Sequence, residues 1–110
     1  MIEAEAILDK DGVLYKCRVC GHAGAGKTGT DIVCAAVSVL IRTAVSVLSQ
    51  RKGIFIRCNA PEPGFLDLEA EYTDEGKEFL STVGVFLIQG LESVAMEYPQ
   101  YCKFKLLRRT

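Results

Sequence analysis

The hydrophobic pattern at the start of the chain predicts a β-hairpin. Apolar residues alternate with glutamates over residues 2–8, which is the period of a half-buried strand. The segment 9–12 (DKDG) is typical of a turn, in which glycine adopts a positive φ. Residues 13–20 predict the second strand, and the glycine-rich segment 21–30 is expected to be a loop.

The next stretch is apolar and rich in β-branched residues, so strand and helix compete for it. Its polar positions recur at three- and four-residue spacing, which is the period of a helix: Ser38, Arg42, Ser46 and Ser49. We therefore predict a helix over about 31–50, with Asp31 as its N-cap. The charge and the serines favour a core helix over a membrane span.

The remainder of the chain repeats the order strand, strand, helix and adds one strand. The predicted strands lie over 53–58, 65–72 and 101–107. A second helix begins near Thr73 or Asp74, carries an apolar stripe, and ends at Tyr98-Pro99. The order ββα-ββα-β predicts an α+β fold. Its form is a two-layer α/β sandwich with both helices on one face of a mixed or antiparallel sheet.

Composition narrows the function classes. The 110 residues suit one domain spanning 1–110. Because 13 basic residues face 14 acidic ones, direct nucleic-acid binding is disfavoured. The acidic start of the chain is unlike a signal peptide, and five cysteines, an odd number, are typical of reduced thiols. We expect a cytoplasmic protein that does not associate with a membrane.

Charged residues on the predicted strands suggest one pairing. Glu69 and Glu71 would lie beside Lys103 and Lys105 if their two strands were neighbours. The acidic segment 62–78 is expected to be a solvated surface rather than an attractor for a basic substrate.

One histidine and one cysteine suggest nucleophilic chemistry. Cys34 would be the third residue inside the predicted helix, where free N–H groups and the helix dipole stabilise a thiolate. Asp31, Cys34, Ser38 and Arg42 lie within about 80° of one another around the helix axis. His22 precedes the helix by a short glycine loop, which is the layout of a Cys–His nucleophile. A buried cysteine and a capping histidine remain the alternative at this point.

The loop also matches a phosphate-binding pattern. Residues 21–28 (GHAGAGKT) fit G-x-x-x-x-G-K-[ST], which holds a nucleotide at a helix N-terminus. The pattern requires the helix to begin at Lys27-Thr28, whereas the predicted cap is Asp31. Nucleotide binding is therefore the weaker interpretation.

Two further readings use Cys17, Cys20 and His22. Zinc needs ligands that converge, but Cys17 and Cys20 point to opposite faces of a strand. A redox Cys-x-x-Cys normally begins a helix, whereas this one ends a strand. We predict no metal site and no cofactor.

Two linked motifs resemble one known family. GHAG at 21–24, followed by GTDIVCAAVS at 29–38, is similar to the signatures of the ribosomal-processing cysteine proteases called Prp. The resemblance implies a cysteine endopeptidase with Cys34 as nucleophile and His22 as base. Asp31 and Ser38 match supporting positions, and Asp31 would either orient His22 or cap the helix.

The resemblance also implies a substrate and an assembly. The expected substrate is the N-terminal extension of ribosomal protein L-twenty-seven, and the expected state is a homodimer. The loop would gate substrate access, and its gating residues are Gly21, Ala23, Gly24, Gly26 and Gly29. The four cysteines outside the signature are assigned to packing. A ribosome-associated protein that binds peptides without cleaving them is the alternative function.

Overall fold

The computed structural model describes residues 1–21, 28–60 and 64–109, except for the side chains of residues 28–31. Within these ranges the elements are β1 (Ile2–Leu8), β2 (Leu14–Cys20), α1 (Thr28–Ser49), β3 (Ile54–Asn59), β4 (Phe65–Tyr72), α2 (Asp74–Glu97) and β5 (Cys102–Arg108). The predicted order is confirmed. Apart from the start of α1, the observed boundaries lie close to the predicted ones.

The described strands form one mixed sheet in the order β3-β4-β2-β1-β5. β1 pairs antiparallel with β2, and β4 pairs antiparallel with both β2 and β3. β1 and β5 are parallel, with Ile2 opposite Cys102. Both helices are therefore crossover connections between strands that do not neighbour each other. The predicted α+β class with a mixed sheet is confirmed.

Both helices cover the same face of the sheet. The even-numbered residues of β1, from Ile2 to Leu8, are buried beneath them. α1 contacts α2 and β3, and α2 contacts β2, β4 and β5. Ile32–Ser49 and α2 are long and apolar enough to cross a membrane by length and composition, and here each helix packs one side against this core.

The other face of the sheet carries charges whose sign alternates from strand to strand. The predicted pairing of Glu69 and Glu71 with Lys103 and Lys105 is wrong, because β4 and β5 lie on opposite sides of β2 and β1. Arg57 of β3 lies 3.2 Å from Glu69 and 3.8 Å from Glu71. Basic residues of the neighbouring strands thus neutralise the acidic strand β4. This supports the prediction that the acidic segment is a solvated surface.

The second correction concerns the start of α1. The helix begins at Thr28, so residues 28–30 are not loop and Asp31 is not an N-cap. The prediction rested on the low helix propensity of Thr and Gly, which is a weak local preference that tertiary packing overrides. Asp31 lies instead in the first turn of the helix.

Candidate active site

β2 and β3 finish, and β1, β4 and β5 begin, at one end of the sheet. We name it the loop end. Two backbone hydrogen bonds tie it together. Gly21 N–H donates to the Gly64 carbonyl at 2.9 Å, and Ile2 N–H donates to the Tyr101 carbonyl at 2.8 Å. The described chain leaves β2 at Gly21, the residue before His22 in the sequence.

Cys34 lies near the start of α1, on the flank of the helix that borders the core. Its side chain is half-buried and packs against the core cluster. Cys102, the first residue of β5, is almost fully buried. Burial raises the pKa of the Cys102 thiol, and the charge of Cys34 raises it further. α1 follows the end of β2 and leads to the start of β3 at the opposite end of the sheet, so Cys34, near the start of the helix, belongs to the loop end.

The early start of α1 changes the expected electrostatics of Cys34. Only the first four N–H groups of a helix lack a carbonyl partner within it, here those of residues 28–31. Cys34 is further along, about 9 Å up the axis from Thr28 at 1.5 Å per residue. The prediction that free N–H groups beside Cys34 stabilise its thiolate is therefore wrong. The N–H groups of residues 32–34 are equally committed to the helix.

Burial and nearby charges distinguish the other cysteines from Cys34 as candidate nucleophiles. Burial raises the pKa of Cys17 to about 12, and the negative charges of Asp67, Cys58 and Glu5 add to the effect. Cys17 and Cys102 therefore remain protonated at neutral pH, and a protonated thiol is a poor nucleophile. Their assignment to packing is confirmed by their burial. Cys20 is half-buried, and the exposed Cys58 contradicts its assignment to packing.

Several predicted site residues lie outside the described part of the chain. These are His22, Ala23, Gly24 and Gly26. Gly29 and Asp31 are placed as backbone within α1, and the side chain of Asp31 is not described. Ser38 is half-buried one helical turn beyond Cys34. Gly21 is described and has φ +97°, a conformation that favours glycine.

The structure also bears on the alternative sites. Cys17 is buried towards the helices, whereas Cys20, three residues later on β2, belongs to the opposite face. Among the described residues there is no group of three His, Cys, Asp or Glu that could hold a metal ion.

The phosphate-loop alternative fails for a different reason from the one predicted. α1 does begin at Thr28, as that motif requires. However, β2 lies antiparallel between β1 and β4. Nucleotide sites of open α/β sheets form at the carboxyl ends of parallel strands, so this sheet does not supply that setting.

Comparison with known proteins identifies the family. The profile described as Cysteine protease Prp matches residues 1–103. The chain belongs to the cysteine protease Prp family. The Ribosomal processing cysteine protease Prp of Mycoplasma pneumoniae is 32% identical over 95 residues, which cover 86% of this chain and 90% of that protein. The resemblance drawn from the two motifs is thereby confirmed.

Solved structures confirm the Prp fold. A Streptococcus mutans crystal structure superposes with a TM-score of 0.82 at 28% identity, covering 99% of this chain and 96% of that one. The essential ribosomal processing protease Prp from S. aureus, in complex with a covalently linked product peptide, gives a TM-score of 0.81 at 20% identity. Coverage there is 96% of this chain and 99% of that one. The Prp family of ribosomal-processing cysteine proteases therefore accounts for both the fold and the class of chemistry.

Sequence reasoning missed residues that the fold brings to the loop end. Cys102 and the last turn of α2 lie far from Cys34 in sequence. The pairing of β5 with β1 brings them to the loop end, and no local pattern indicated this pairing. A strand order carries no period of its own, so only the assembled sheet reveals these neighbours.

Proposed function

We propose that this chain is an endopeptidase with a Cys34–His22 dyad. Its substrate is the N-terminal extension of ribosomal protein L-twenty-seven, removed during ribosome maturation. One domain, residues 1–110, carries the activity without a cofactor. The observation that carries the proposal is the position of Cys34. It is a half-buried thiol at the loop end, where the chain passes from β2 through Gly21 to His22.

The proposed reaction is acyl transfer to sulfur. His22 takes the proton of Cys34, and the thiolate attacks the scissile carbonyl carbon. The tetrahedral intermediate collapses as the C–N bond breaks, and His22 gives the proton to the leaving amine. Water then hydrolyses the thioester, which frees the acid product and restores the thiol. Because residues 32–34 donate their N–H groups within α1, the oxyanion donors are assigned to the backbone of the glycine loop.

Asp31 and Ser38 are assigned to positioning the two catalytic side chains. Asp31 lies in the first turn of α1 and no longer has an N-cap role to perform. This favours the other role offered by the family resemblance, which is to orient His22. Ser38 lies one turn after Cys34 and is assigned to support of the thiol. The gating role of the loop remains assigned to Gly21, Ala23, Gly24, Gly26 and Gly29.

The proposed assembly is a homodimer in the cytoplasm. Large apolar side chains are exposed on the outward faces of both helices, including Val39 of α1 and Val85 and Phe86 of α2. An apolar surface of this kind marks a contact with another protein. All five cysteines are free thiols, which supports a reducing compartment.

The test is a digest of ribosomal protein L-twenty-seven bearing its N-terminal extension, analysed by mass spectrometry. The wild type is expected to make one cut, and Cys34→Ala is expected to make none while its melting temperature stays near that of the wild type. Cys58→Ala is the matched control, because it removes an exposed thiol on β3, the edge strand opposite β5. It should cleave like the wild type.

Two results would contradict the proposal. Cleavage of the substrate by Cys34→Ala would show that Cys34 is not the nucleophile. Binding of the extension without any cleavage by the folded, reduced wild type would favour the peptide-binding alternative. Selective alkylation of Cys34 by iodoacetamide separates these outcomes, since a thiol that attacks a carbonyl also reacts with an alkylating agent.

A further inference from the structure

The end of β2 is confined on both sides by the backbone of neighbouring strands. The last paired residues of β2 and β4 are Cys20 and Phe65. One residue further, the Gly21 N–H donates to the Gly64 carbonyl at 2.9 Å, which adds a final hydrogen bond to this antiparallel pair. We name it the terminal bond. On the β1 side, a Cβ atom built on Gly21 would overlap the carbonyl oxygen of Met1.

The terminal bond joins two residues whose backbone conformation favours glycine. Gly21 has φ +97° and Gly64 has φ +84°. Residues with a Cβ atom rarely adopt these values, whereas glycine adopts them readily. Gly64 is the residue before β4 and lies outside both motifs of the predicted site. Its backbone conformation sets the direction of the carbonyl group that accepts the Gly21 N–H.

The terminal bond lies one residue from the proposed base. His22 follows Gly21 in the sequence, so the chain continues to the base from the residue that Gly64 holds. A general base must lie within about 2.6–3.2 Å of the group whose proton it accepts. Misplacing such a group by about 1 Å lowers a rate by about a hundredfold. A shift of Gly21 is therefore expected to slow proton transfer from Cys34 to His22.

Gly12 has a similar conformation at the opposite end of the sheet. It has φ +79° and lies in the turn between β1 and β2. Its N–H donates to the Asp9 carbonyl at 3.0 Å, so it also takes part in a backbone hydrogen bond. Gly12 and Gly64 are thus matched in φ and differ in the end of the sheet that they hold. Comparing them separates an effect on catalysis from an effect on stability.

We propose that Gly64 is a positioning residue for the base: its carbonyl, by accepting the Gly21 N–H, holds the point from which the chain continues to His22. The inference rests on the proposed Cys34–His22 dyad. It adds a residue from the segment before β4 to a site whose other residues all belong to the segment 21–38. Gly64 acts through Gly21 and takes no part in the proton transfer itself.

The test is the rate at which iodoacetamide alkylates Cys34 at neutral pH, measured by mass-spectrometric peptide mapping. This rate reports the thiolate and requires no substrate. Gly64→Ala should lower it about tenfold, because Ala disfavours the φ that directs the carbonyl. Gly64→Asn should recover part of the rate, since Asn tolerates a positive φ better than Ala does. Gly12→Ala is the matched control, which should lower the melting temperature and leave the alkylation rate unchanged.

A double-mutant cycle separates positioning of the base from a general loss of stability. His22→Ala alone should slow alkylation, because the thiol loses its base. Adding Gly64→Ala to His22→Ala should slow it no further, because no base is left to position. With both catalytic residues present, Gly64→Ala should lower kcat for the L-twenty-seven extension. The Kd of that peptide, measured on Cys34→Ala with and without Gly64→Ala, should not change.

Two comparisons decide the inference. An unchanged alkylation rate in folded Gly64→Ala overturns it, even where the wild type cleaves as proposed. Equal slowing by Gly64→Ala with and without His22 also overturns it, because Gly64 would then act on the packing around Cys34. If Gly64→Ala fails to fold, Gly64→Asn enters the same cycle and is judged by the same comparisons. A loss of rate that requires His22 supports the inference even if no substrate is cleaved, in which case only the proposed endopeptidase activity fails.

Discussion

At the scale of single residues, Gly21 links the fold to the candidate site. It ends the β-sheet and immediately precedes His22. Its φ of +97° is unfavourable for a residue with a Cβ atom. A Cβ atom built there would lie within van der Waals contact distance of the backbone carbonyl of Met1, closer than any real side chain allows. The glycine is therefore required by both conformation and space.

Replacing Gly21 with Ala should destabilise the protein by about 2 kcal/mol or more, because strain adds to a backbone displacement. Gly12→Ala is the control, since Gly12 has φ +79° but open space around its Cβ position. It should cost about 1 kcal/mol. Urea denaturation measures both values. If Gly21→Ala and Gly12→Ala lowered the free energy of unfolding equally, the contact with Met1 would be relieved without an energetic cost.

At the scale of elements, the length of α1 determines what the helix does for catalysis. A helix starting at Asp31 would have placed Cys34 among free N–H groups, whereas the observed start at Thr28 places it beyond them. In the proposed mechanism, activation of the thiol is therefore assigned to His22 and not to the helix N-terminus. The same shift leaves only residues 22–27 between Gly21 and the start of the helix.

A second contact between elements joins the β1–β2 turn to the end of β4. The Tyr72 hydroxyl donates to Asp9 Oδ2 at 2.5 Å, while the N–H groups of Asp11 and Val13 donate to Oδ1. Burial raises the pKa of Asp9, but these hydrogen bonds outweigh it and hold the pKa below its usual value. The hydrogen bond to Asp9 raises the pKa of Tyr72 to about 12.

The sign of the pH dependence follows from Tyr72. The unfolded chain releases the phenolic proton near pH 10, whereas the folded protein retains it to about 12. Stability should therefore fall as the pH rises from 10 to 12. In Tyr72→Phe this fall in stability between pH 10 and 12 should disappear. The free energy of unfolding at neutral pH should drop by about 1 kcal/mol. Urea denaturation as a function of pH tests both, and identical alkaline slopes in the two proteins would contradict the assignment.

At the scale of the whole molecule, the two faces of the sandwich differ in what they offer a partner. On the open face of the sheet, opposite charges of neighbouring strands form ion pairs. Arg18 lies 3.8 Å from Asp67, and Arg57 lies 3.2 Å from Glu69. The outer face of the helical layer exposes apolar side chains instead. A second copy is therefore expected to dock on the helices and not on the open sheet.

Phe86→Glu should convert the proposed homodimer into a monomer, because it places a charge where Phe86 is 72% exposed on α2. Light scattering coupled to gel filtration measures the mass. Phe55→Glu makes the same change on the opposite edge of the sheet and should leave the mass of the wild type unaltered. A monomeric wild type, or a dimer that survives Phe86→Glu, would contradict this interface.

The sequence by itself determined the order and type of the elements and the two motifs of the site. These depend on local periodicity, which the strand repeat of β1 and the helical spacing of α1 display directly. The GHAG and GTDIVCAAVS segments were sufficient to indicate the family that the comparisons confirmed.

Only the tertiary structure decided the strand order, the start of α1 and the neighbours of Cys34. The pairing of Ile2 with Cys102 joins the two ends of the chain, and no local pattern encodes it. That pairing brings Cys102 and the last turn of α2 to the loop end. Local periods follow from backbone geometry, whereas contacts between distant residues follow from the burial of the assembled core.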